Sequence, residues 1–148
     1  MRTGYLVAAA AGVIHGGFSV YWGLGGTWLL STVGSVADAF DGALLLIVLV
    51  GLAKLAFALA PLVADTRATR WIYRAGATVL AVWGGASMVG AAIGLLGSAN
   101  DPTALWGHLL WWDPLFLVWG VALFAGTMAP SDRGARQASE AGAVAFPR

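Results

Sequence analysis

Two ionisable side chains interrupt long apolar runs of this sequence, and Lys54 is the deeper of them. It lies near the middle of a run from Gly42 to Val63. Burial in an apolar medium disfavours a charged amine unless a partner holds the charge. We predict no Asp or Glu at the same depth on another run. Lys54 is therefore expected to snorkel, to lose its proton, or to bond to backbone carbonyls, His15 or an anionic ligand.

His15 is the second such side chain, and it lies in the first apolar run. It shares a helical stripe with Ser19 and Trp22, at spacings of i, i+4 and i+7. At 1.5 Å per residue, it would lie roughly 10 Å from the end of the run at Trp22. A neutral imidazole there could relay protons, bind a metal or haem, or hold a neighbouring helix through a hydrogen bond.

A third group of polar and aromatic side chains lies late in the sequence, around Asp113. Asp113 precedes Pro114 and could simply cap a helix that begins there, with residues 105–112 as an aromatic approach. The alternative is a carboxylate within reach of His15 in an outward-facing polar pocket. The candidate ligand-binding residues are His15, Ser19, Tyr21, Trp22, Lys54, His108, Trp112 and Asp113.

No cofactor, metal site or nucleic-acid partner is predicted. The chain has no cysteine, which excludes thiolate ligands and disulfides. Haem held between His15 and His108 is an alternative that we disfavour, because the presence of two histidines is the only feature of the sequence that favours it. The formal charge of +1 argues against nucleic acid, which requires a concentrated basic face.

The composition of the sequence indicates a protein that lies in a lipid membrane. Hydrophobic residues make up 59% of the 148 and charged residues 10%, against roughly 25% charged in soluble domains. A membrane-spanning helix needs about 20 residues. The sequence therefore predicts an all-α bundle of four transmembrane helices in residues 1–129, followed by a disordered cytoplasmic tail, 130–148. The predicted spans are about 4–22 (a retained span, not a cleaved signal), 42–63, 73–96 and 108–128.

The basic residues indicate an orientation for this bundle. Seven of the eight fall in the N-terminus, the connection between spans two and three, and the tail, whereas the other two connections have none. The positive-inside rule then places both termini in the cytoplasm. Arg70 and Arg74, one helical turn apart, could also bind lipid phosphates. The seven residues are Arg2, Arg67, Arg70, Arg74, Arg133, Arg136 and Arg148.

The connection formed by residues 23–41 is too apolar for a solvated loop and too short to span the membrane. We expect an interfacial helix, with a re-entrant segment as the alternative. Its membrane face would comprise Trp28, Leu29, Val33, Val36 and Phe40.

Glycine pairs spaced by four residues indicate where helices approach closely. Gly12 and Gly16 form one pair, and Gly90 and Gly94 another. In lipid such pairs favour close backbone contact. They could form seams within the bundle or the face of a homo-oligomer.

Two stretches resemble a family of small bacterial four-span membrane proteins known as domain of unknown function 3995. The first, residues 15–34, contains His15 and the Tyr-Trp-Gly-Leu-Gly-Gly turn at 21–26; the second, from Trp112 to Trp119, contains Asp-Pro-Leu. The similarity covers most of residues 5–128. The resemblance implies an Arg and an Asp in the third span of many relatives, and this chain departs from that pattern with Ser-Met-Val-Gly-Ala-Ala from Ser87. The family has no established activity, so the resemblance implies the fold and the motif positions only.

Three classes of function fit these observations. The most favoured is a membrane protein that handles a small molecule in an outward-facing pocket, as a carrier, a ligand-binding protein or an accessory subunit. A structural or assembly subunit without its own ligand comes second. The least favoured is a membrane-embedded enzyme in which a His–Asp pair does acid–base chemistry.

Overall fold

Helices account for the architecture of the protein. The structure, a computed structural model, describes residues 2–35 and 42–129. The long helices are α1 (Thr3–Gly23), α2 (Leu44–Val63), α3 (Arg67–Leu96) and α4 (Pro102–Met128), and a short 3-10 helix (Leu30–Val33) follows α1. All four long helices are long and apolar enough to cross a membrane. The predicted all-α, four-span membrane fold is confirmed; the predicted tail, 130–148, lies outside the described residues.

The four helices pack in an order that differs from their order in the chain. α1 packs along both α2 and α4, and α4 packs along α3. Across the bundle the order is therefore α2, α1, α4, α3. The core between them contains several alanines, whose small side chains bring the helix backbones close together. Its buried members are Tyr5, Ala8, Ala11, Ala58, Tyr73, Ala77, Trp119 and Leu123.

Glycines form the seams within the bundle. A Cβ atom added at Gly12 would lie 2.5 Å from the Cβ of Ala58, and one added at Gly16 would lie 3.1 Å from the Cβ of Lys54. This predicted pair is therefore an intramolecular seam between α1 and α2. Gly94 faces Leu105, whereas Gly90 has open space around it. A homo-oligomer through the remaining glycine faces stays a prediction.

The fourth helix begins earlier than predicted. Its N-cap is Asp101, whose side chain accepts a hydrogen bond from the Ala104 N–H at 3.0 Å, with Pro102 at the first helical position. The prediction that Asp113–Pro114 starts this helix is wrong. Two Asp-Pro pairs carry the same capping signal, and the chain uses the first of them.

A π-helical turn, His108–Trp112, lies within α4 immediately before Asp113. Pro114 has no N–H to donate to the carbonyl four residues back, which weakens regular α-helical bonding at this point. The Asp113 N–H instead donates to the carbonyl of His108, five residues back. Such turns insert a wider ring into an α-helix and often occur at functional sites.

The third helix also begins earlier than predicted, at Arg67 instead of residue 73. Thr66 and Thr69 form a reciprocal capping box: each side chain accepts a hydrogen bond from the other residue's N–H. Its 30 residues extend roughly 45 Å, more than the hydrocarbon thickness of about 30 Å. The helix is therefore longer than this layer is thick, and its first turn contains Arg67 and Arg70.

The segment after α1 turns back onto the bundle. Val33, predicted to face the membrane, is 8% exposed, and Thr32 lies against Gly107 of α4. Between Leu24 and residue 35 the structure has a four-residue 3-10 helix, not the predicted interfacial helix, because this segment packs on α4. Val36 and Phe40 lie outside the described residues.

The two ends of the bundle differ in chemistry. At one end, which we call the basic end, Arg2 donates to the carbonyl of Gly126 at 2.9 Å and pairs with Asp65 in the α2–α3 connection. At the other, the aromatic end, lie the 3-10 helix and the α3–α4 connection. The placement of the basic end in the cytoplasm stays a prediction.

Candidate ligand-binding site

Lys54 meets two polar side chains of α1 in the middle of the bundle. Its Nζ lies 3.3 Å from Nδ1 of His15 and donates to Oγ of Ser19 at 3.1 Å. Ser19 Oγ in turn donates to the backbone carbonyl of His15. We call these three residues the central cluster. Of the alternatives predicted for Lys54, the structure adopts the bond to His15.

The glycine seam makes this meeting possible. Gly16 and Gly51 lie opposite each other, so that a Cβ atom at either would lie 3.2 Å or less from the carbonyl oxygen of the other. With no side chains between the backbones, Lys54 on α2 reaches α1 directly. His15 and Ser19, one helical turn apart, are 7% and 5% exposed. The central cluster is therefore held by two adjacent helices, with His15 and Ser19 buried and Lys54 half-buried.

Aromatic rings of α4 line the other side of the central cluster. The ring centroid of Phe116 lies 4.0 Å from that of His15, and Lys54 Nζ lies 5.6 Å from the Phe116 centroid, within cation–π range. Trp112 lies one turn earlier in α4, and its ring meets that of His15 edge-on, with 6.0 Å between the ring centroids. Phe116 was not among the predicted residues, although its i+4 spacing from Trp112 indicates the shared face.

A second layer of aromatic rings separates the central cluster from the aromatic end. Trp22 packs on Trp112 at 4.9 Å between centroids, and its Nε1 donates to the carbonyl of Trp28 at 2.9 Å. Tyr21 accepts a hydrogen bond from the Trp28 N–H, and Trp112 Nε1 donates to Oγ1 of Thr32 at 2.9 Å. The predicted residues Tyr21 and Trp22 therefore fix the loop over the central cluster and are not part of it.

An unpartnered donor lies one turn farther toward the basic end. Trp119 is 1% exposed, and its Nε1 has no hydrogen-bond partner among residues 2–35 and 42–129. Its ring is stacked parallel to that of Phe116 and packs against Gly12, one turn before His15. A buried donor without a partner costs free energy. Sequence reasoning missed it, since Trp119 lies within an otherwise apolar stretch.

Asp113 pairs with His108 rather than with His15. Its Oδ2 lies 3.3 Å from Nδ1 of His108, and the residue is 2% exposed. The π-helical turn accounts for this pairing, because residues five apart are brought into register by i→i+5 bonding. The predicted pocket in which Asp113 reaches His15 is not the arrangement that the structure shows.

Asp113 nevertheless lies at the level of the central cluster. It is flanked along α4 by Trp112 and Phe116, both of which contact His15. Its backbone carbonyl packs against Gly84 of α3. The expectation that no acid lies at the depth of Lys54 is therefore wrong. The prediction had the fourth helix begin at Asp113 and therefore placed this residue at the membrane surface. The helix in fact begins at Pro102, so Asp113 lies within it.

An open depression lies beside His108 at the aromatic end. It is bounded by the 3-10 helix, the end of α3 and the start of α4. The side chain of His108 is 32% exposed and lines this depression. Polar residues that line it include Ser31, Ser98, Asn100, Asp101 and Thr103.

The two arginines predicted to contact lipid phosphates have partners within the protein. Arg70 donates to both carboxylate oxygens of Asp65, at 2.8 and 3.2 Å, and Arg74 donates to Oγ1 of Thr127 at 3.1 Å. Burial alone would raise the pKa of Asp65, but the hydrogen bond from Arg70 and the charges of Arg2 and Arg70 outweigh it and hold that pKa below its usual value. Lipid-phosphate binding by Arg70 and Arg74 stays a prediction.

The fold and the central cluster together define a class of protein: a four-span membrane protein with a polar centre. A family model described as "Protein of unknown function (DUF3995)" matches residues 12–123. This match covers most of the chain and includes both the central cluster and Asp113. The chain belongs to this family, as the resemblance implied. Comparisons with curated proteins and with solved structures give no match.

Proposed function

We propose that the protein binds a small organic anion at the central cluster, in the inner membrane of a bacterium. The observation that carries this proposal is the neutral surroundings of Lys54. Its contacts are the imidazole of His15, the hydroxyl of Ser19 and the ring of Phe116. Across residues 2–35 and 42–129, no carboxylate lies within ion-pair distance of Lys54.

An ammonium group in this position favours an anionic ligand. Ionisable groups within membrane helices are costly and commonly mark the path or site of a substrate. The Coulomb attraction between Lys54 and a bound anion is strengthened by the low dielectric of the bundle. Ser19 and His15 can supply further donors, and the unpartnered Nε1 of Trp119 lies nearby.

The aromatic lining favours an anion that carries an apolar or aromatic body. Phe116 and Trp112 border the central cluster on the α4 side, and Phe18 contacts Trp112 at 5.1 Å between ring centroids. Ligand sites are commonly apolar with a few placed polar groups. An aromatic carboxylate combines both requirements, and benzoate is the simplest probe of this class.

The first test measures thermal unfolding of the full chain in detergent with benzoate or with benzyl alcohol, which has the same ring but no charge. A ligand that binds only the folded state raises its stability, by about 2.7 kcal/mol at 100 times Kd. We expect benzoate to raise Tm in a saturable manner and benzyl alcohol to have a much smaller effect. Lys54→Gln should abolish the benzoate effect.

A matched variant controls for the general loss of a positive charge. Arg67→Gln removes an exposed cation at the basic end, and it should leave the benzoate effect intact. The proposal would be contradicted by equal Tm shifts with both probes, by no shift in the wild-type protein, or by an undiminished shift in Lys54→Gln.

A structural role is the second candidate, and the hydrogen bonds of Lys54 favour it because they join α2 to α1. In this case Lys54→Gln should lower Tm without ligand, and benzoate should have no effect on the wild-type protein. A membrane-embedded enzyme that uses a His–Asp pair stays a hypothesis, and the pair that such an enzyme would use is His108 and Asp113, not His15 and Asp113.

A further inference from the structure

We propose that Asp113 is a proton-binding site within the membrane and that it exchanges its proton with water at the aromatic end through His108. This inference does not depend on anion binding at the central cluster. It rests on the burial of Asp113, its pairing with His108 and the position of His108 beside the open depression.

The carboxyl group of Asp113 lacks the partners that an ionised carboxylate requires. It is 2% exposed, and its Oδ2 makes no hydrogen bond of good geometry in the part of the chain that the structure describes. The nearest donor is His108 Nδ1, at 3.3 Å. A buried charge without hydrogen bonds is far more costly than a neutral acid. A proton is the smallest ligand that satisfies this oxygen.

His108 connects this buried group to water. Its side chain is 32% exposed and borders the depression, while its Nδ1 faces the Asp113 carboxyl. The π-helical turn holds the two side chains together. The backbone N–H of Asp113 donates to the carbonyl of His108, so the same two residues are joined through both backbone and side chains. The imidazole therefore bridges a surface open at the aromatic end and a carboxyl in the bundle.

Few other ionisable groups surround Asp113. The facing helix α3 has none from Ala75 to Leu96, and the 3-10 helix has none. α1 contributes His15 and α2 contributes Lys54, which pack against Trp112 and Phe116 of α4, and the α3–α4 connection contributes Asp101. Asp101 is occupied as a helix cap. His108 is therefore the titratable partner in direct contact with Asp113.

The transfer can be written as a balanced step. Water in the depression delivers a proton to Nε2 of His108, and the Nδ1 proton passes to Oδ2 of Asp113. The products are a neutral imidazole with its proton on Nε2 and a neutral carboxylic acid, so that one proton has moved inward. The reverse sequence returns it to water. Histidine is suited to this role because it exchanges protons near neutral pH.

Infrared difference spectroscopy of the full chain tests this proposal. Acid-minus-alkaline spectra should contain the C=O band of a buried carboxylic acid, and Asp113→Asn should lose this band. Asp101→Asn is the matched control, since it removes the helix-cap carboxylate beside the depression, and it should keep the band. Asp113→Glu, which retains a carboxyl group, should shift the band if the Asn variant does not fold.

The role of His108 has its own readout. After transfer into heavy water, the deuterium shift of the Asp113 band should develop more slowly in His108→Gln than in the wild-type protein. The proposal is overturned if Asp113→Asn leaves the difference spectrum unchanged, which would mean that Asp113 neither gains nor loses a proton between the two pH values. Exchange at the same rate in His108→Gln would overturn the proposed route. Neither result depends on benzoate binding.

Discussion

Single residues in this protein fall into two electrostatic environments. Lys54 and Asp113 lie within the bundle at the same level, and no ion pair joins them among the residues that the structure describes. Asp65 and its arginines lie at the basic end, where charged groups pair directly. Paired charges at a water-facing end contribute modestly to stability, whereas ionisable groups in the apolar layer are expected to serve function.

The Asp65 ion pairs predict a specific dependence of stability on pH. The pKa of Asp65 is lower in the folded protein than its usual value of about 3.9, so the unfolded state binds more protons in this range. The stabilising contribution is therefore complete above about pH 4 and is lost as the pH falls through the folded-state pKa. We expect Asp65→Asn to lower the free energy of unfolding by about 1 kcal/mol or less near pH 6.

The measurement is the difference in unfolding free energy between wild type and Asp65→Asn, taken from about pH 6 to pH 3. This difference should shrink on acidification, because the wild-type carboxyl then becomes neutral as well. A difference that stays constant or grows would show that Asp65 does not act through its charge.

The residues of the central cluster were predictable from sequence, but the contacts of Asp113 were not. An ionisable residue in an apolar run is conspicuous, and His15 was among the partners expected for Lys54. The pairing of Asp113 with His108 depends on a π-helical turn that α-helical spacing does not reveal. The pairing of Asp65 with Arg2 was not predictable either, because it joins residues far apart in the sequence and depends on how the helices pack.

At the scale of helices, the seam between α1 and α2 holds the central cluster together. Gly12→Ala would place a methyl group 2.5 Å from the Cβ of Ala58 and 2.7 Å from the Trp119 ring. Such overpacking costs about 1–3 kcal/mol. Gly17→Ala is the matched control, because nothing lies within 4 Å of that position. Unfolding in detergent should show a loss of stability for Gly12→Ala and little change for Gly17→Ala.

Equal stability of the two alanine variants would contradict the described contact between α1 and α2.

The sequence indicated that Gly12 and Gly16 lie at a helix contact, but it left open whether that contact joins two helices of one chain or two chains. Only the packing of α1 against α2 decides between them. The start of α4 was missed for a related reason, since two Asp-Pro pairs offered the same local signal.

At the scale of the whole molecule, charge is segregated between the two ends. Arg2, Arg67 and Arg70 lie at the basic end, and the chain offers a direct test of orientation because it contains no cysteine. We expect a membrane-impermeant maleimide to label Asn100→Cys in intact cells and to label Ala68→Cys only after permeabilisation. Labelling of position 68 from outside would reverse the orientation.

The number and approximate length of the spans followed from hydropathy alone, because a helix must cover the apolar layer whatever its neighbours. The lateral order α2, α1, α4, α3 did not follow. It depends on which glycine and alanine faces fit together, and the sequence carries several such faces. Helix order in lipid is set by close packing, which hydropathy does not encode.

The central claim, that Lys54 holds a charge that a ligand anion can approach, can be measured without any substitution. Lys54 is the only lysine of the chain, so labelling lysine with ¹⁵N at Nζ gives a single side-chain signal in an NMR spectrum. We predict an ammonium signal that moves in a saturable manner with benzoate and stays in place with benzyl alcohol. A neutral-amine signal, or an ammonium signal that benzoate leaves unmoved, would contradict the proposed anion site.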